Sequence, residues 1–204
     1  RISYLQDLSN AKAPPSAEHL LGTDRYGRDM LSRVIVGSRT SIFSTLLLVA
    51  VITVLGTAVG VFCGWNGRWM DTVLMRISDM FLAFPGLVFA LAVAGSLGGG
   101  LQNAILALAA ISWPKYARIA RSQTLAQKET VWMKAAKLSG SSSGKLIFKH
   151  ILPNIIGPIL VTAMLDIGTM MMELAALSFL GLGAKPPTAE WGSMMSDTRS
   201  LMTT

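Results

Sequence analysis

The chain alternates long uncharged runs with short polar stretches. Asp, Glu, Lys and Arg are absent from 40–67, a run of 28 residues, and from 80–114, a run of 35. A helix rises about 1.5 Å per residue and the hydrocarbon core is about 30 Å thick, so about 20 apolar residues suffice to cross it. The pattern predicts an all-α integral membrane protein with four crossings. The first covers 40–64 and contains Gly56-Thr57-Ala58-Val59-Gly60, a G-x-x-x-G spacing that lets helices approach closely but also arises by chance in apolar segments. Trp65-Asn66-Gly67-Arg68-Trp69 then turns the chain, its tryptophans suited to a membrane interface, and 71–79 is amphipathic. The second crossing, 73–95, includes Pro85, which a membrane helix tolerates when neighbours cover the freed carbonyl. Ser96-Leu97-Gly98-Gly99-Gly100 makes a tight turn. The third crossing, 101–111, continues through Trp113-Pro114 towards Leu125, with Lys115, Arg118 and Arg121 on one helical face. The fourth runs from near Pro153 to near Gly183, interrupted by Asp166 and Glu173, and the tail 184–204 is polar.

Composition agrees with this pattern. Hydrophobic residues make up 51% of the 204, charged residues only 14%, and mean hydropathy is +0.51. Soluble domains carry roughly 25% charged residues. The single cysteine, Cys63, excludes a disulfide framework and a cysteine metal cluster. Two histidines, His19 and His150, leave no H-E-x-x-H site, and no phosphate-binding loop is present. The first 39 residues lack the apolar core of a signal peptide. The net charge of +7 reads as basic residues retained in cytoplasmic loops rather than as nucleic-acid binding. The stretch 115–150 holds eight basic residues against one acid, Glu129, and is therefore cytoplasmic. Alternation then places 1–39 and 184–204 outside. Arg1, Lys12, Arg25, Arg28, Arg33 and Arg39 run against that orientation.

Within the basic stretch, Lys134-Ala135-Ala136-Lys137-Leu138-Ser139-Gly140 is followed nine residues on by His150-Ile151-Leu152-Pro153-Asn154. This resembles the EAA loop of membrane subunits of binding-protein-dependent ABC importers. Small residues there let a short helix seat closely on a partner. His19 to Arg33, with Gly22-Thr23-Asp24-Arg25-Tyr26-Gly27-Arg28-Asp29 at its centre, is similar to the signature before the first core helix of peptide and nickel importer permeases. Arg76-Ile77-Ser78-Asp79 with Phe84-Pro85, Ser178-Phe179-Leu180-Gly181-Leu182-Gly183, and Pro186-Pro187-Thr188-Ala189-Glu190-Trp191-Gly192 are similar to further stretches of that family. The resemblance runs from His19 onward. In one respect the chain departs from it: the motif's glutamate is Lys134 here, and Glu129 stands as a substitute.

The resemblance implies a type I, MetI-like transmembrane domain over 40–204, preceded by an extracytoplasmic segment, 1–39, with a cytoplasmic coupling loop at 126–152. Family members resemble a six-crossing design, so four helices here imply one more before Arg1 and one after Thr204. It further implies a non-catalytic, multi-pass permease subunit of a bacterial inner membrane. Such a subunit pairs with a second, related permease, two cytoplasmic ABC ATPases and an extracytoplasmic substrate-binding protein. Lipid surrounds it and no nucleic acid is involved. The chain itself holds no cofactor, since the ATPases bind ATP and magnesium. Lys134, Ala135, Ala136, Ser139 and Gly140 are the expected ATPase-coupling residues. Asp24, Arg28, Asp29, Glu190 and Trp191 are expected either to receive the binding protein or form an outer gate, or else to fix local turns and ion pairs.

A carboxylate at membrane depth usually faces a bundle interior or a water-filled path. Asp166 and Glu173 are two helical turns apart with Met170 between them, so one face offers two acids and a thioether. They attract a cationic cargo, or one acid bonds a neighbouring helix while the methionines pack. No fixed metal site is expected. Leu165-Asp166-Ile167-Gly168 before Met170-Met171-Met172 looks closer to nickel-type permeases, leaving the cargo as nickel, a nickel chelate, or di- and oligopeptides. An ion-gradient carrier without ATPases is the alternative, but it needs no docking helix and would favour an inverted repeat, which is not visible. An intramembrane enzyme lacks a nucleophile–base pair at depth.

Overall fold

The computed structural model describes residues 6–199; Arg1, counted above among the N-terminal cations, and the end of the tail, 200–204, lie outside them. Regular structure among the described residues is helical, apart from an isolated bridge between Thr23 and Asp29. Helix α1, Met30–Asn66, is followed by α2, Arg68–Ala83, α3, Gly86–Ser96, and α4, Leu101–Lys128. Three short elements come next: α5, Val131–Leu138, α6, Ser143–Leu146, and a wide turn, Ile147–Ile151. That turn runs directly into α7, Leu152–Phe179, and α8, Trp191–Thr198, lies in the tail.

Four crossings are expected; among the described residues, two helical runs are by length and composition alone apolar enough to cross a membrane, α1 and the continuous run Ser143–Phe179. A third appears if α2 and α3 count as one span, but they are bent by 94°. The break has a local cause. Proline crowds the residue before it out of the helical region, and Phe84 is extended at φ −93°, ψ 146°. Pro85 therefore ends α2 instead of merely kinking a crossing. Helix α4 is 28 residues long, yet its apolar run stops at Ile111 and Lys115, Arg118 and Arg121 follow. Helix α1 begins ten residues before the expected start, since its first turns accommodate Arg33 and Arg39.

The chain divides into two compact units. One comprises 48–89 and 109–168. Its centre is a seam between α1 and α4 in which Gly56, Gly60 and Gly64 recur once per turn. A side chain at Gly60 would stand 2.7 Å from Ala120 Cβ, and one at Gly64 2.8 Å from Thr124 Cβ. The small residues thus set the helix separation, as the G-x-x-x-G spacing suggested. Lys128 Nζ closes the end of α1 by donating to the carbonyls of Gly64 (3.1 Å) and Trp65 (2.8 Å).

In the same unit the basic face of α4 meets acids from two other helices. Lys115 bonds Asp166 of α7 at 2.6 Å, Arg118 bonds Asp79 of α2, and Arg121 grips Asp71 of α2 through two nitrogens at 2.5 and 2.6 Å. Three cations read from sequence as loop charge are therefore also helix-to-helix ties.

The other unit comprises the described parts of 1–47, 90–108 and 169–204. In it the loop before α1 and the segment around α8 pack together. Arg25 and Arg28 both reach Asp197, at 2.6 and 3.8 Å, and Trp191 Nε1 donates to the Val34 carbonyl at 3.1 Å.

Candidate functional site

The residues expected to couple to an ATPase lie on α5 and the turn that ends it. Met133 is fully buried and anchors this short helix. Lys134, Ala135 and Ser139 are exposed, and Ala136 is half-buried. Gly140 is exposed with φ +80°, a left-handed conformation that lets Gly140 N–H donate to the Lys137 carbonyl and Ser141 N–H to that of Ala136. This is the usual glycine stop of a helix. Sequence reasoning missed the two most exposed apolar side chains of the element, Val131 (84%) and Leu138 (90%). Their signal was present: apolar residues seven apart on a helix with charge between them share one face. Lys134 pairs with Glu129 at 3.0 Å, so the lysine that replaces the motif's acid has found one nearby. That bond from Lys134 holds the Glu129 carboxyl below its ordinary value. Lys137 lies 4.8 Å over the Trp65 ring, and Trp132 packs against His150 at 5.6 Å.

Asp166 is buried. Its Oδ1 accepts from Lys115 Nζ at 2.6 Å, and its Oδ2 from the fully buried Tyr116 hydroxyl at 2.9 Å. Of the two alternatives left open by the sequence, the carboxylate bonding a neighbouring helix is the one observed. Both partners sit on α4 and neither was singled out for this role. Met170 is buried and Glu173 is half-buried; both fall in the other unit.

The loops before α1 and before α8 are built from charge held inside. Asp24 accepts from the backbone of Tyr26 (2.8 Å) and Arg28 (2.9 Å) and from Arg28 Nε (2.6 Å), with both side chains buried. The Tyr26 ring lies between the guanidinium groups of Arg25 and Arg28, 4.7 and 4.6 Å from its centroid. Asp29 caps α1 by accepting from Ser32 N–H at 2.8 Å, and it contacts His19 Nδ1 at 3.1 Å. The Ser32 bond, then the approach of His19, hold its carboxyl below the usual carboxylate value. Glu190 is fully buried and caps α8, accepting from Gly192 and Ser193 N–H, each at 2.9 Å. Ser41 Oγ donates to Glu190 at 3.4 Å and accepts from Trp191 N–H at 3.2 Å.

Asp24, Arg28, Asp29 and Glu190 are thus spent on turns, caps and ion pairs. Of the alternatives left open by the sequence, the local turns and ion pairs are observed: these side chains face inward, and an acid that accepts two or three N–H bonds satisfies its charge within the loop. Trp191 is half-buried. Asp197, which joins the two loops, was not anticipated. Glu190→Ala is expected to lower stability by about 1–2 kcal/mol, the ordinary cost of losing a helix cap. Thermal unfolding in detergent measures this, with Glu190→Gln falling between the two.

These features define a multi-pass helical membrane protein that carries a short, exposed, amphipathic helix on one unit and a rigid, charge-stapled loop cluster on the other. A family model described as the binding-protein-dependent transport system inner membrane component matches residues 56–204. A dipeptide transport system permease protein of Alkalihalophilus pseudofirmus is 44% identical over 194 residues, covering 95% of this chain and 64% of its own length. A probable D,D-dipeptide transport system permease protein of Escherichia coli is also 44% identical over 194 residues, with 95% and 65% covered. A glutathione transport system permease protein of Pectobacterium atrosepticum is 39% identical over 196 residues, with 96% and 65% covered. The chain belongs to the family of inner-membrane components of binding-protein-dependent transport systems, with the type I, MetI-like helical fold. It spans about 65% of the length of these relatives.

Proposed function

We propose that this chain is a permease subunit of an ATP-driven importer for short peptides. It forms part of the translocation path beside a second, related permease and has no chemistry of its own. Cytoplasmic ATPases, which bind ATP and magnesium, dock on α5 and the Gly140 turn, and a binding protein delivers cargo on the side of the outer loops. The observation that carries this reading is α5 itself. A helix of eight residues anchored by one buried methionine presents Val131 and Leu138 almost fully to solvent. A surface of that kind on a membrane protein calls for a partner. An ion-gradient carrier has no use for it.

Peptide is favoured over nickel. The nickel reading leans on Asp166 and the following methionines, yet Asp166 is neutralised by Lys115 and Met170 is buried. The relatives named above carry dipeptide, D,D-dipeptide and glutathione in their names.

Co-purification of the tagged full-length subunit from its native membrane tests the reading. Two ATPases, a sister permease and a peptide-loaded binding protein are expected. A binding protein loaded with nickel would overturn the cargo, and recovery without any ATPase would overturn the mechanism.

A further inference from the structure

The unit made of 48–89 and 109–168 carries a groove of about 580 Å³ between α1 and the wide turn with the first half of α7. Val54, Ala58 and Phe62 line one wall, and Leu152, Ile156 and Leu160 the other. Thr53 and Thr57 also reach it, but their hydroxyls are buried, so the surface left to a ligand is carbon. Asn66, where α1 ends, is the remaining polar side chain on the wall.

The length of the groove matches one leaflet. From Thr53 to Asn66 α1 advances 13 positions, about 20 Å at about 1.5 Å per residue. Half of a hydrocarbon core about 30 Å thick is about 15 Å. Trp65 and Trp69 stand at the Asn66 end, where such rings mark a membrane interface. The groove thus runs from that interface to just past the middle of the bilayer, the depth that one acyl chain occupies.

Positive charge gathers at the same end. The acids of this unit, Asp71, Asp79, Glu129 and Asp166, are each taken by a cation, Arg121, Arg118, Lys134 and Lys115 in turn. Arg68 lies two residues past Asn66, and Lys145 and Lys149 flank Ile147 and Phe148 of the groove wall. These three cations are exposed and have no acid partner among the described residues. Lys128 and Lys137 stand close by, 5.7 and 4.8 Å over the Trp65 ring.

A neighbouring membrane helix is held by small residues packed closely or by polar groups in register. Here the walls offer carbon along their length and cations at one end only, which suits an amphiphile with an apolar tail and an anionic head. We propose that the groove holds an acyl chain of an anionic phospholipid, with its phosphate among Arg68, Lys145 and Lys149. Phosphate oxygens make charge-assisted bonds with Lys and Arg, and basic pockets between membrane helices select anionic headgroups. The site needs only that the chain is embedded in a membrane and is independent of the peptide reading.

The test uses the full-length subunit, purified with its membrane partners and stripped of native lipid in detergent. Titration with dioleoylphosphatidylglycerol or dioleoylphosphatidylcholine is read by native mass spectrometry, and the anionic lipid is expected to bind at least tenfold more tightly. A phosphatidylglycerol with a diazirine in its acyl chain is expected to crosslink to 53–62 and 152–160. Lys145→Gln combined with Lys149→Gln is expected to lower that crosslinking about tenfold, and arginine at both positions to restore it. Both lysines are exposed, so these variants leave the fold in place. Ala58→Phe fills the groove and is expected to abolish the crosslinks with the partners still bound. Equal affinity for the two lipids, crosslinks confined elsewhere, or indifference to the double glutamine variant overturns the site. Loss of the sister permease from Ala58→Phe, with lipid binding unchanged, also overturns it and makes the groove an interface between subunits.

Discussion

Gly60→Leu is expected to prevent stable assembly of the α1–α4 seam. A leucine there must displace α4 bodily, since the atoms a new Cβ meets are backbone and a Cβ of that helix, not the end of a flexible side chain. Over-packing a tight interface costs about 1–3 kcal/mol even for small additions, and a whole leucine exceeds a small addition. Gly60→Ala places the cost nearer the lower end. Gly157→Ala on α7 is the control, because nothing lies within 4 Å of that position. Alanine there gains up to about 1 kcal/mol of helix propensity. Fluorescence-detected size exclusion and thermal unfolding in detergent read the series. Gly60→Leu should yield little monodisperse protein, Gly60→Ala a lowered melting temperature, and Gly157→Ala no loss. A Gly60→Leu protein as stable as Gly157→Ala would show that α1 and α4 do not touch there.

Half of the seam, Gly56 and Gly60, was visible in sequence because glycines four apart coincide with one helical turn, whereas α4 as the partner emerges only from the structure. The helical class was legible for a similar reason, since a run of 28 uncharged residues has one economical solution in lipid. Counting crossings from uncharged runs was less secure. The glycines at 98–100 divide the uncharged run 80–114 as expected, but Phe84-Pro85 breaks it again near its start. Proline in a membrane helix is compatible with a kink or with a break, and neighbours decide which.

Charge was the most misleading signal. Lys115, Arg118 and Arg121 obey the positive-inside pattern, yet their partners Asp166, Asp79 and Asp71 lie 39–51 residues away in sequence and on other helices. No local rule pairs them. Arg28 likewise reaches Asp197 of α8, far along the chain, and is buried with Asp24 and Asp29. Helix α8 itself was missed: Gly192 is a poor helix former, and the signal that starts the helix is a glutamate cap at Glu190 rather than the commoner Ser, Thr, Asp or Asn.

The proposed docking element, α5 with its Gly140 turn, was legible in part, Val131 and Leu138 having been missed, and its test carries the largest functional effect. Gly140→Asp is expected to lower cargo-stimulated ATP hydrolysis more than tenfold in the reconstituted complex, with membrane insertion unchanged. The turn explains why aspartate isolates the charge. Asn and Asp tolerate the left-handed conformation better than other side chains, so Gly140→Asn keeps the backbone at φ +80° with little strain and no charge. Asparagine should therefore couple nearly normally. Aspartate adds an ionised group to a surface that an ATPase must dehydrate, and an unpaired charge taken out of water costs several kcal/mol. About 1.4 kcal/mol already corresponds to tenfold. Leu138→Asp is the second variant, since that side chain is 90% exposed and its loss leaves the helix anchored by Met133. It should reproduce the Gly140→Asp defect. Unchanged stimulation in both variants would make α5 a solvated linker and remove the docking role from 134–140.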